Sequence, residues 1–94
     1  MSRVTIKQLE SQVSRINQLT GSPAEPYTRI EGKLTGNIGN YHLDQAYGGI
    51  KLVRMCNESG GISLVSREGY VNKGKLSTWM GAFIAGLELK GDAA

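Results

Sequence analysis

Apolar residues recur along this chain in two rhythms, helical at both ends and alternating in the middle. Ile6, Leu9, Val13, Ile16 and Thr20 follow a 3-4-3-4 spacing with Leu19 beside them, which predicts one amphipathic helix with a narrow seam. Its start is marked by Thr5 and Gln8, the two ends of a capping box, with Val4 and Leu9 at the staple positions around it. Gly21 supplies the C-cap, and Pro23 and Pro26 forbid continuation. At the other end, Leu76, Trp79, Met80, Phe83, Ile84 and Leu87 keep the period of a second helix, with Asn72 as its N-cap.

Between the helices the apolar runs are short and punctuated by Gly and Asn, as in a small antiparallel sheet. Residues 27–34 predict an edge strand carrying Arg29, Glu31 and Lys33 on one face, followed by a turn at 35–39. Residues 40–44 alternate with Tyr41 and Leu43 inward, and 45–49 make a hairpin connection. Residues 50–56 are apolar on both faces, with Ile50, Leu52 and Cys56 on one and Val53 and Met55 on the other, which predicts a central strand. A loop at 57–61 and a strand at 62–66 close the meander. The expected fold is therefore α+β: a three- to four-stranded antiparallel meander flanked by an N-terminal and a C-terminal helix, α-β-β-β-α. Residues 1–90 form the single small domain of this reading and 91–94 a frayed tail.

Size changes the picture, because 94 residues bury only roughly 60–65% of the surface of the unfolded chain, and self-association often adds what such domains lack. Two features fit a homo-oligomer. The narrow seam of Leu9, Val13 and Ile16 reads either as a core face on the sheet or as a helix seam between subunits. Gly81 and Gly86 each cost the second helix roughly 1 kcal/mol relative to alanine. Gly81 and Ala85 are thus either tolerated surface residues or a flank for close packing.

Charge and cysteine content narrow the setting. The net charge of +3 comes from 11 Lys and Arg spread along the chain, so nucleic-acid contact is permitted without a concentrated basic element. One cysteine allows no intrachain disulfide and fits a reducing compartment. The N-terminal segment is polar and helical, without the apolar stretch of a signal peptide, and no apolar run reaches the roughly 20 residues of a membrane span. The expectation is a cytoplasmic protein with no membrane partner.

Chemistry is sparse. His42 and Asp44 share a strand face, but a third metal ligand, Cys56 or Glu58, would have to come from across a hairpin. The same His42, Asp44 and Cys56 are the only set for nucleophilic catalysis, and Cys56 in an apolar strand disfavours the thiolate. Gly48-Gly49 and Gly60-Gly61 precede strands and not a helix, so they read as turns and not as phosphate loops. No enzyme activity, cofactor or metal is expected. A binding surface is: Tyr41, Tyr47, Arg54 and Arg67 are the candidate contacts, since Tyr and Arg dominate the energetics of many interfaces. Arg54 among apolar neighbours wants an anion: it reads either as internally paired with Asp44 or Glu58 or plainly exposed, or as a holder of the phosphate or carboxylate of a partner.

The runs Asn40-Tyr41-His42-Leu43, Ala46-Tyr47-Gly48-Gly49-Ile50-Lys51-Leu52 and Gly60-Gly61-Ile62 carry a resemblance. With Lys73-Gly74-Lys75-Leu76 and the Ile84 to Glu88 ending, this chain is similar to small uncharacterised accessory proteins of tailed bacteriophages and prophages. Ile50 stands where those proteins carry an aromatic residue. The resemblance implies a phage gene product in the bacterial host cytoplasm that binds and blocks a host component, such as a host protein or defence factor, or sequesters a small anionic ligand. The alternative is a nucleic-acid-binding regulator that uses the basic residues and the tyrosines of the sheet.

Overall fold

A computed structural model of the protein describes residues 3–66 and 69–93. Helix α1 spans Ile6–Thr20 and is closed at both ends by the residues that predict it. The Thr5 hydroxyl accepts from the Gln8 amide at 3.2 Å, and the Thr5 amide donates to Gln8 Oε1 at 2.8 Å. Gly21, at φ 68°, lets the Gly21 and Ser22 amides turn back onto the carbonyls of Gln18 and Asn17. Helix α2 spans Lys73–Ala93, running on past Lys90, and Asn72 caps it by accepting from the Lys75 amide at 2.7 Å.

Among the described residues, five antiparallel strands lie between the helices, in two sheets. Strands β3 (Tyr41–Ala46), β4 (Gly49–Met55) and β5 (Ile62–Leu64) form the meander in the order β3-β4-β5, so β4 is central as its two apolar faces predict. Strands β1 (Tyr27–Ile30) and β2 (Lys33–Gly36) form a separate two-stranded sheet. This corrects the single strand expected over 27–34 and the turn expected over 35–39. Glu31 at φ 51° and Gly32 at φ 78° make a two-residue turn that folds the segment back on itself. The β3–β4 connection tightens in the same way, to Tyr47 and Gly48 alone, with Ala46 opposite Gly49.

The core lies between the meander and both helices. Leu9, Val13 and Ile16 from α1, Tyr41 from β3, Ile50 and Leu52 from β4, and Leu76 and Met80 from α2 form one buried cluster. Trp79, Phe83, Ile84 and Leu87 pack against it from the rest of the α2 stripe. The opposite face of the meander buries Val53 and Met55. There Gly36 of β2 comes so close that a Cβ on it would lie 2.6 Å from the Asn57 carbonyl oxygen, so no larger residue fits without displacing backbone. Cys56 lies just beyond β4 and is exposed, which corrects its expected place as an apolar strand residue. Among the described residues no helix is long and apolar enough to cross a membrane.

Candidate partner-binding surface

The tip of the β3–β4 hairpin carries a side-chain cluster set by register. A two-residue turn at 47–48 places Asp44 opposite Lys51. Lys51 Nζ lies 3.9 Å from Asp44 Oδ2 and 4.4 Å from the centre of the Tyr70 ring. The Tyr70 hydroxyl donates to Asp44 Oδ2 at 2.7 Å, and that hydrogen bond is the main reason its pKa is raised above the ordinary tyrosine value. Tyr47 meets Tyr70 edge to face, with ring centroids 5.5 Å apart.

Tyr47 is the outlier of this cluster. Its φ is 54°, in the left-handed region that favours Gly, Asn and Asp, and its side chain is 95% exposed. A tyrosine there costs the fold roughly 1–2 kcal/mol, with one ring edge as its contact. Beside it, a cleft of about 790 Å³ separates the hairpin tip from the start of α2. Arg3, Gln45, Gly48, Asn72, Lys73 and Gly74 are among its lining residues.

The other expected contact residues are placed differently. Tyr41 is 8% exposed and turned into the core, where its ring meets Phe83 edge to face at 6.2 Å. Its inward position on β3 removes it from any open surface. Arg54 is exposed, and its anion is neither Asp44 nor Glu58: Nε donates to the Gly39 carbonyl at 3.3 Å and the guanidinium lies 5.1 Å from the Tyr41 ring centre. Arg67 lies outside the described residues. Leu9, Val13 and Ile16 face α2 and β3 of their own chain, so the narrow seam of α1 is a core face and not an open intersubunit seam. Gly81 and Ala85 lie exposed on α2, and a Cβ on Gly81 would meet only Gln12 Nε2, at 3.9 Å. Close approach within the chain therefore does not account for that glycine.

The sequence reading missed Tyr70 and Lys51 at the tip and Asn17 in the core. Counting outward from a turn at 47–48, and not one at 45–49, would have paired Asp44 with Lys51. Nothing in the local sequence marks Tyr70, which arrives through the bridge between Val71 and Ile50.

His42 shares the outer strand face with Asp44, and its Nδ1 lies 3.1 Å from Asn40 Oδ1. Burial pushes its pKa below the usual histidine value, against the opposing charge of Asp44. A histidine depressed in the fold binds its proton more readily when unfolded. Its contribution to stability is therefore complete above the ordinary pKa of about 6.5 and is lost as pH falls through and below that value. Urea midpoints are expected to fall between pH 7.5 and 5.5 in the natural chain and less so in His42→Gln; parallel curves would show that His42 titrates freely. Among the described residues no three His, Cys, Asp or Glu side chains converge on a metal-sized site, so His42, Asp44 and Cys56 do not form one.

Comparison with protein-family models, curated proteins and solved structures gives no match for this chain.

Proposed function

We propose that this chain is a non-enzymatic, phage-encoded accessory protein that binds and blocks a component of the bacterial host cytoplasm, with Tyr47 as its main anchor. The phage setting rests on the resemblance of the segments at 40–52 and 60–62. The observation that carries the binding reading is Tyr47 itself. A large aromatic side chain stands almost wholly in solvent on a backbone position that disfavours it. Strain of that kind persists where it serves a contact made outside the fold. Exposed tyrosine also supplies contact area at small entropic cost, which suits an anchor. Arg54 flanks the same hairpin as a second contact. Self-association falls to the outer flank of α2, where Gly81, Ala85 and the exposed Leu89 recur every fourth residue.

Tyr47→Asn separates function from folding. It creates Asn-Gly, the favoured pair for a two-residue hairpin turn, so stability is expected to hold or rise by up to about 1 kcal/mol. Capture of the partner from bacterial lysate, read by mass spectrometry, is expected to drop at least tenfold. Equal capture by the variant and the natural chain would overturn the assignment of Tyr47.

A second reading is favoured by Arg3 and Lys73, which line the cleft beside the Tyr47–Tyr70 pair. Cations next to aromatic rings suit a single-stranded nucleic acid. Under this reading the captured partner is DNA or RNA and its affinity falls steeply with salt.

A further inference from the structure

Among the described residues, the β3 strand has one edge that no strand covers. Backbone direction along it follows from β4. Ile50 exchanges hydrogen bonds with Val71 at 2.8 and 2.9 Å, while the Leu52 carbonyl accepts from Val65 at 2.9 Å and the Leu52 amide donates to Ser66 Oγ at 3.1 Å. Both residues thus bond away from β3, and their register partners there are Gln45 and Leu43. Directly opposed residues in an antiparallel ladder either exchange bonds or both turn outward. Leu43 and Gln45 therefore present their N–H and C=O groups along the free edge. Tyr41 is the next in that series, and Asn17 occupies its place: the Tyr41 amide donates to Asn17 Oδ1 at 2.8 Å, and Asn17 Nδ2 donates to the Tyr41 carbonyl at 3.0 Å. Among the described residues no such partner meets the outward groups of Leu43 and Gln45.

A groove of about 400 Å³ runs beside this edge, between β3, α1 and the proline segment, with Glu10, Ser14, Glu25 and Pro26 in its wall. Its two carboxylates are exposed, its lining holds no lysine or arginine, and among the described residues neither glutamate has a cationic partner. Open edges are pairing templates that proteins usually blunt with charge, proline or a cover. Here Asn17 blunts one residue and leaves the next two open beneath an acidic wall.

We infer that the free edge of β3 takes an extended, lysine- or arginine-bearing segment of another protein as an added strand, held by the backbone of Leu43 and Gln45 and selected by Glu10 and Glu25. Main-chain bonds supply the pairing and the flanking charges the choice of partner. A second copy pairing edge to edge is disfavoured, because it brings two acidic walls together. The inference goes beyond the anchor role of Tyr47 and does not depend on it.

The test uses the full chain, with a synthetic peptide alternating lysine and valine and a matched peptide alternating glutamate and valine. The lysine peptide is expected to slow amide hydrogen exchange at Leu43 and Gln45 at least tenfold, and the glutamate peptide to leave it unchanged. The double variant Glu10→Gln, Glu25→Gln should weaken the lysine peptide by roughly threefold to tenfold, and more added salt should do the same. Tyr47→Asn should leave this peptide's binding intact, so failure of one site is distinguishable from failure of the other. Unchanged exchange at saturating lysine peptide would overturn the inference. So would equal protection by the glutamate peptide, or protection that grows with protein concentration alone, which would assign the edge to a second copy.

Discussion

Leu52→Ala is expected to lower the unfolding free energy by about 3–4 kcal/mol, in the upper part of the range for a buried leucine. Leu52 is fully buried in the central strand, within the cluster that joins the meander to both helices. Both of its backbone groups are bonded on the side away from β3, and its side chain is held within the core cluster. Its amide donates to Ser66 Oγ, its carbonyl accepts from the Val65 and Ser66 amides, and β3 lies opposite. Such a residue cannot move to close the space its side chain leaves, so the cavity persists and adds to the lost transfer energy. A chain this size holds about 5–14 kcal/mol in total, so the change removes a large part of its margin. Urea denaturation should show a midpoint lowered by roughly 3–4 M, given a slope near 1 kcal/mol/M for a small domain. A loss below 1 kcal/mol would mean that the helices collapse onto the sheet and fill the gap.

Asn17→Ala is expected to cost about 2–4 kcal/mol, although it removes only a small polar side chain. Asn17 is 4% exposed, and its amide meets both the N–H and the C=O of Tyr41, itself buried. It occupies the place a neighbouring strand would take, and it ties α1 to the free edge of β3. Truncation leaves two backbone groups without partners, each worth about 1–3 kcal/mol when buried. Hydrogen exchange at the Tyr41 amide should accelerate with the loss of stability. Asn17→Asp keeps the acceptor for that amide but turns a carboxylate oxygen toward the Tyr41 carbonyl, so it is expected to recover only part of the loss. An alanine variant within 1 kcal/mol of the natural chain would show that water reaches the edge and replaces the side chain.

Asn17 also shows where sequence reasoning stops. Within α1 it stands next to Ile16 and beside the apolar stripe, with nothing local to tell it from a surface asparagine. Its role exists only once β3 lies alongside, 24 residues further on. Tyr47 is the intermediate case. Composition marked it as a contact residue, but the strain that gives it meaning came from the turn narrowing to two residues. Tyr41 and Arg54, two of the expected contact residues, meet each other instead: the ring lies in the core and the exposed guanidinium covers it.

The elements with short-range causes were legible in the chain alone. The capping box and Gly21 end α1, Asn72 begins α2, the 3.6-residue stripe of α2 faces the core, and the double apolar pattern makes β4 central. Each is decided by side chains within a few residues of one another, so periodicity and capping chemistry suffice. The tertiary structure alone decided the split of the strands into two sheets and the use of the α1 seam within the chain. It alone also decided the Asp44–Lys51–Tyr70 cluster and the open groups of Leu43 and Gln45. Those depend on register and on which faces meet. A one-residue change in a turn reverses every side chain of a strand, and no local pattern records which edge is left without a neighbour.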